Sequence, residues 1–393
     1  MRVLITDGDQ RSSLAVVRSL GRSGHDVYVC APEVPSLAGV SRYAVQQIGV
    51  PELDCGTQAY LDAVAAAVER HDIDVVIPMT DASATTLLEL RSRLPGVDVP
   101  FPPAQTYLDV SDKVRLMEAG RELGVPVPPG VVVPAAEASR VELLDRCADW
   151  GYPVVVKPGR SVAIRAGSLS RFGVHVALNP TDLERELDSL GAGAYPLLVQ
   201  KLIRGPGLGV FVLAREGSPV AWFAHRRLRE KPPWGGVSVY RESAPVRSDL
   251  KALSEQLLHH FRWTGVAMIE FKEDAETGVP YLMEINGRFW GSLQLAIDSG
   301  VDFPRLLLES SPPTAPTFRR KIRSRWLWGD VDHLLMVLTR GGSNARPGTP
   351  GRMIAILRFL RIWWPGDRFE VLRVSDPRPF LLESRRWFRH LFG

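Results

Sequence analysis

Apolar and polar positions change period along this chain in a fixed order. Arg2 to Thr6 is an apolar run that ends in the turn Asp7-Gly8-Asp9, and Ser13 to Gly21 follows with helical spacing. A second apolar run, Asp26 to Cys30, completes a βαβ opening. The helical stretch Ala59 to Arg70 then leads into the strand Asp74 to Pro78 and the polar end Met79 to Ser83. Strands alternating with helices imply a parallel sheet, with ligand sites at the carboxyl ends of its strands, where Asp7 and Thr80 to Ser83 fall. The first turn lacks GxGxxG, so a dinucleotide site is poorly supported, and polar strand ends of this kind are mostly turns or caps.

The alternation breaks at Pro100 to Pro103, which predicts a domain boundary near residue 105. Ser111-Asp112-Lys113 starts a helix that runs to about Leu123 and is closed by Gly124 and Pro126. Pro153 to Gly159 reads as a very apolar strand ending in Lys157, followed by a loop with Arg160, Ser161, Gly167 and Ser168. A lysine ending a buried strand calls for a partner, such as a phosphate that the small-residue loop would also bind, or it snorkels to solvent. Leu197 to Lys201 is a further strand, and Phe211 to Ala214 with Val220 to Ala224 forms a hairpin. His225 and four cations, Arg226, Arg227, Arg229 and Lys231, follow, leading to a hinge-like loop, Pro232-Pro233-Trp234-Gly235-Gly236; this run is either an anion-binding element, with Arg226 its best candidate, or a solvated face.

Gly265 to Gly287 carries the sharpest chemistry. Its two arms, Val266 to Phe271 and Tyr281 to Ile285, flank the turn-forming Asp274 to Gly278, which predicts a β-hairpin. Even pairing would put Ile269, Phe271, Tyr281, Met283 and Ile285 on one face and Glu270, Glu284 and Asn286 on the other. Two carboxylates and an amide oxygen suit Mg²⁺, which takes hard oxygen ligands and completes its shell with water and phosphate; taken alone, a polar strand face is more often just solvated.

At 393 residues the chain is long enough for two or three domains with sizeable cores. Its net charge is only +4, yet from Ser310 onward 16 Lys and Arg stand against 6 Asp and Glu, so the rest is acidic overall. Cys30, Cys55 and Cys147 form no CxxC pattern, which argues against a disulfide framework or a zinc site and fits a reducing compartment. No secretory leader and no run of about 18 apolar residues is seen, so a cytoplasmic protein is expected.

The order of these elements resembles the ATP-grasp superfamily of ligases over about residues 1 to 310. The resemblance rests on Asp112-Lys113, YPVVVKPG, LVQKLI with GPGLGV, and the pair MIEF and LMEINGR. It implies an α/β and α+β architecture: a Rossmann-like leading domain (1–105), a two-lobed ATP-grasp fold (106–310, with a small lobe to about 195 and a large lobe from about 196), and a small basic C-terminal appendage (311–393). Carried over by position, Lys113 and Lys157 would hold ATP phosphates, and Gln200, Lys201, Leu202 and Ile203 would form the adenine-contacting hinge. Glu270, Glu284 and Asn286 would bind Mg²⁺ or Mn²⁺, and Arg288 would lie near the reacting phosphate, with Arg226 as a second catalytic arginine. Many members have a glutamate where Lys201 stands, which puts base preference and the ribose contact in question.

The implied activity is ligation of a small carboxylic acid to an amine through an acylphosphate. The alternatives are carbamoyl-phosphate-synthase-like or carboxylase-like phosphorylation of a small acid, and a nucleotide-binding regulatory module without turnover. Small-molecule acid and amine partners are expected, a homodimer is compatible with the family, and no specific nucleic-acid partner is expected. Residues 311–393 interleave cations with Trp326, Trp328, Trp363 and Trp364. This pattern suits a helical appendage packed on the body, peripheral contact with an anionic membrane, or nucleic acid.

Overall fold

The structure is a computed structural model that describes residues 1–91, 96–134, 140–165, 167–191, 194–233, 235–309, 318–340, 351–361 and 367–392. Trp234, Trp363 and Trp364 lie outside the described residues.

The chain opens on four parallel strands, β1 (Arg2–Ile5), β2 (Asp26–Ala31), β3 (Ala44–Gly49) and β4 (Val75–Ile77), in the order β3-β2-β1-β4. Sequence pattern missed β3 because AVQQIG is a polar edge strand with no fully buried position. The polar strand ends serve as caps. Asp7 accepts hydrogen bonds from the hydroxyls of Thr6 (2.5 Å), Thr80 (3.1 Å) and Ser83 (2.6 Å), and Thr80 caps the helix Asp81–Leu90 in a capping box.

Next come β5 (Gly130–Val133), β6 (Val154–Pro158), β7 (Val162–Arg165), β8 (Ser168–Arg171), β9 (His175–Ala177) and β10 (Leu197–Lys201). Four of them form an antiparallel sheet, β5-β10-β6-β9. One face packs with the helices Arg140–Trp150 and Pro180–Ser189 into a separate core of Leu143, Cys147, Val154, Val156, Leu183 and Val199. The stretch after Lys157, expected as a loop, is a two-stranded hairpin of β7 and β8. Gly167 at its tip accepts hydrogen bonds from the Thr57 backbone N–H and hydroxyl, both at 3.2 Å.

The third unit contains β11 (Gly207–Arg215), β12 (Ser218–Lys231), β13 (Val237–Ala244), β14 (Gly265–Glu273), β15 (Pro280–Asn286), β16 (Arg323–Arg325) and β17 (Asp367–Phe369), ordered β15-β14-β11-β12-β13-β16-β17. The cationic run, expected to leave the hairpin, continues β12 to Lys231. It can do so because its charges are met by carboxylates: Arg227 by Glu270 at 2.6 Å and Arg229 by Asp330 at 3.1 Å. One hydrophobic core runs from the first sheet (Val3, Ile5) through Tyr107 and Met117 to the large sheet (Phe271, Trp290).

The described part of the basic C-terminal region is tied into this body. It supplies β16 and β17, and its helices Leu327–Arg340 and Arg378–Phe392 stack half-buried aromatics on each other, Trp328 on Trp387 at 4.3 Å. Trp326 lies under Arg11 and donates to Glu383 at 2.8 Å. Buried ion pairs fasten the segment on both sides: Glu370 accepts from Arg11 (2.7 Å) of the leading unit and from Arg241 of β13, and Asp376 accepts from Arg18 at 2.8 Å. Desolvation lowers the Arg241 guanidinium to about 10, against the pull of Glu370. Removing one partner of a buried pair leaves an uncompensated charge, so Glu370→Ala should cost roughly 3–5 kcal/mol of unfolding free energy. Urea denaturation checks this, and a loss below about 1 kcal/mol, the size of an exposed pair, would contradict it.

Candidate functional site

The hairpin β14–β15 forms as its turn residues require. Asp274 Oδ1 accepts from the backbone N–H groups of Glu276 (3.0 Å) and Thr277 (2.9 Å), and Gly278 takes the left-handed conformation, φ 72°. Glu270 pairs with Glu284 and Met268 with Asn286, so the three predicted metal ligands share one face. Beyond that point the register shifts, and Phe271 faces Leu282. The extra residue is Met283, so the expected core face is corrected: fully buried Leu282 replaces Tyr281 and Met283. Met283 instead places its sulfur 3.9 Å from the Lys157 ammonium.

Lys113 reaches the same place from the other side. Asp112 caps the helix Lys113–Glu122 by accepting from Val114 N–H at 3.0 Å, and Lys113 N–H donates to the Gly159 carbonyl at 2.7 Å, just past the end of β6. The Lys113 ammonium donates to Ser161 Oγ at 2.8 Å. Lys113, Lys157, Glu270 and Glu284 thus line one cleft of about 1260 Å³. Burial lowers Lys157 to about 8, opposed by Glu284 and assisted by Lys113. Burial also raises Glu270, although Arg227 opposes the shift.

Arg288 lies 3.2 Å from Asn286 Oδ1 and 3.0 Å from Asp81 Oδ2, so it links the hairpin to the helix that starts at the end of β4. Tyr107 donates to the other Asp81 oxygen at 3.1 Å. Gly287 permits this arrangement, since a Cβ there would meet the Trp263 ring at 2.5 Å. Asp81 was legible only as a polar strand end; its partner is 207 residues away. Arg226, by contrast, falls on the opposite strand parity, is exposed and pairs with Glu242. The arginine that faces Glu270 is its neighbour Arg227, because β12 pairs His225 with Gly209, which also faces Glu270. His225 is half-buried, stacked on Phe211, and bonded to Ser292 Oγ at 2.8 Å; desolvation lowers its pKa well below the ordinary value.

The hinge strand β10 turns Leu197 and Val199 into the separate core and Gln200 to the opposite face, across from Val155 and on the side of Lys157. Gln200 is buried with neither amide atom hydrogen-bonded. Such a group costs free energy unless a ligand satisfies it, which fits the edge of a base. Lys201 is exposed and its N–H donates to the Pro129 carbonyl at 2.9 Å; Leu202 is half-buried and Ile203 buried. Among the described residues no group of three or more His, Cys, Asp or Glu is arranged to hold a metal. The donor set here is two carboxylates and an amide oxygen, the kind of set that Mg²⁺ shares with water and phosphate.

Several known proteins are similar to this chain. Residues 194–327 match the sequence model of a family described as ATP-grasp in the biosynthetic pathway with Ter operon. A D-alanine-D-alanine ligase of Thermoanaerobacter sp. (strain X514) is 26% identical over an alignment of 237 positions that covers 55% of this chain and 62% of that protein. The chain therefore spans under two thirds of the length of that relative. Among solved structures, N5-carboxyaminoimidazole synthetase from Staphylococcus aureus superposes with TM-score 0.63 at 17% identity, covering 88% of this chain and 86% of that one. The biotin carboxylase domain of Hydrogenobacter thermophilus 2-oxoglutarate carboxylase, in complex with MgADP and bicarbonate, gives TM-score 0.62 at 17% identity, covering 82% and 73%. Residues 194–327 thus match an ATP-grasp family, and the fold of the chain is similar to that of these two structures.

Lys157 sets a pH test. Between about 8 and the ordinary 10.5 the unfolded chain carries a proton that the folded protein lacks, so this group makes the fold more stable as pH rises through that window. Anion affinity runs the other way, because the folded ammonium loses its charge. The Kd of a nonhydrolysable ATP analogue should therefore rise by up to about tenfold per pH unit above about 8. Lys157→Arg should remove that inflection, and a flat profile in the wild type would contradict the assignment.

Proposed function

We propose that this protein is an ATP- and Mg²⁺-dependent ligase that joins a small carboxylic acid to an amine through an acylphosphate. The observation that carries the reading is the convergence of Lys113 and Lys157, from the smaller sheet and its helix, on Glu270 and Glu284 of the large sheet. Phosphoryl transfer is catalysed chiefly by positioning and charge neutralisation, which two lysines and two carboxylates facing each other can provide.

In this reading Lys113 and Lys157 hold the nucleotide phosphates, and Gln200 with the backbone of Leu202 and Ile203 holds the base. Glu270, Glu284 and Asn286 would hold Mg²⁺ or Mn²⁺, which when bound neutralises phosphate charge. A carboxylate oxygen of the acid attacks the γ-phosphorus and ADP leaves. The amine then attacks the acyl carbon, and phosphate leaves with the acyl–oxygen bond electrons. Arg288, steered by Asp81, contributes a guanidinium beside Asn286 for the transferring oxygens. Arg227 opposes the rise in the Glu270 pKa that burial causes, and closing the β7–β8 hairpin, which follows Ser161, would exclude water from the acylphosphate.

Purified protein offered the right acid and amine should release ADP and phosphate only with Mg²⁺ or Mn²⁺ present. Glu284→Gln keeps side-chain volume and removes one charge, so turnover should fall at least about a hundredfold, with the melting temperature little changed. Turnover at the wild-type rate in that variant would sink the metal assignment.

A further inference from the structure

The cleft does not end at the phosphate-binding groups. Its other wall is built by β12, β16 and the C-terminal helix Arg352–Leu360, and it carries six guanidiniums: Arg226, Arg229, Arg323, Arg325, Arg358 and Arg361. Three carboxylates are paired with them. Glu242 is shared by Arg226 and Arg323 (2.6 Å), while Arg229 and Arg325 share Asp330 at 3.1 and 3.5 Å, and Arg325 also faces Asp367 at 3.7 Å. Arg358 has no carboxylate partner among the described residues and stands exposed at the rim. His333 is buried in the same wall, its Nδ1 2.6 Å from the Glu230 carbonyl, so that nitrogen is the donor.

The β16 part of this charge is too far from the metal carboxylates to serve the nucleotide phosphates. In the large sheet β12 lies two strands from β14, close enough for its Arg227 to reach Glu270, but β16 lies four. At roughly 4.8 Å per strand, β16 is about 19 Å from Glu270. The side of the cleft away from the nucleotide hinge is where an acid must enter to meet the γ-phosphate. A single carboxylate spent on that reaction would leave Arg358 unmatched.

We infer that the acid carries a second anionic group, a carboxylate or a phosphate, and that the C-terminal segment supplies the arginines that bind it. The inference rests on the ligase reading above and deepens it by naming the substrate class. Guanidinium forks suit either oxyanion. The far wall thus selects a dianionic acid over a monoanionic one of the same size.

Calorimetry on the full chain, saturated with Mg²⁺ and a nonhydrolysable ATP analogue, tests this with three probes. Succinate offers a second carboxylate, 3-phosphoglycerate a phosphate, and butyrate matches succinate in size with one charge. At least one dianion should bind about tenfold or more tighter than butyrate, and which of the two does so identifies the second group. Arg358→Glu, at an exposed position, should weaken that dianion about tenfold and leave the affinity for the nucleotide analogue unchanged. Nucleotide binding with no preference for either dianion, or a dianion affinity untouched by Arg358→Glu, overturns the second-anion site alone. Absence of nucleotide binding overturns the ligase reading together with it.

Discussion

Charge held where burial penalises it is the constraint on which this molecule is organised. Lys157 is lowered to about 8 and Glu270 is raised, each mainly by desolvation, and both lie in one cleft. Neither position is the most stable choice for a resting fold. The protein tolerates them because each has a local counterweight: Glu284 for Lys157, and Arg227 for Glu270 at 2.6 Å. A nucleotide phosphate with a divalent cation would satisfy both signs at once, so the charges that strain the cleft are the ones that would give it affinity.

The same logic explains why three sheets are needed. Lys157 and Gln200 come from the smaller sheet, Glu270 and Glu284 from the large one, and Asp81, at the carboxyl end of the leading sheet, orients Arg288. Glu370, buried between Arg11 and Arg241, locks the last strands to both the leading unit and the large sheet. The far wall of the cleft is thereby held in place by residues that never line it.

Much of this was legible in the sequence, because local chemistry decides it. The capped start at Asp112, the strand that delivers Lys157 and the turn at Asp274 depend on residues a few positions apart, and the order of those pieces carried the resemblance. What escaped depends on register or on distant partners. A single bulge at Met283 reversed the parity of the arm beyond it and brought Leu282 into the core. Strand pairing moved the site-facing arginine from Arg226 to Arg227. The strands at 323–325 and 367–369 are only three residues long, too short for any periodicity, and are held by ion pairs with distant residues, Arg323 with Glu242 and Arg368 with Asp298.

The central claim is that nucleotide phosphates and a divalent cation meet between Lys157 and the Glu270–Glu284 pair. A crystal structure with Mn²⁺ and a nonhydrolysable ATP analogue, with anomalous scattering recorded to locate the metal, tests it most directly. The account predicts manganese bound by Glu270 and Glu284, phosphates on Lys113 and Lys157, and the base against Gln200. Manganese elsewhere, or a nucleotide that leaves Lys157 untouched, would contradict it.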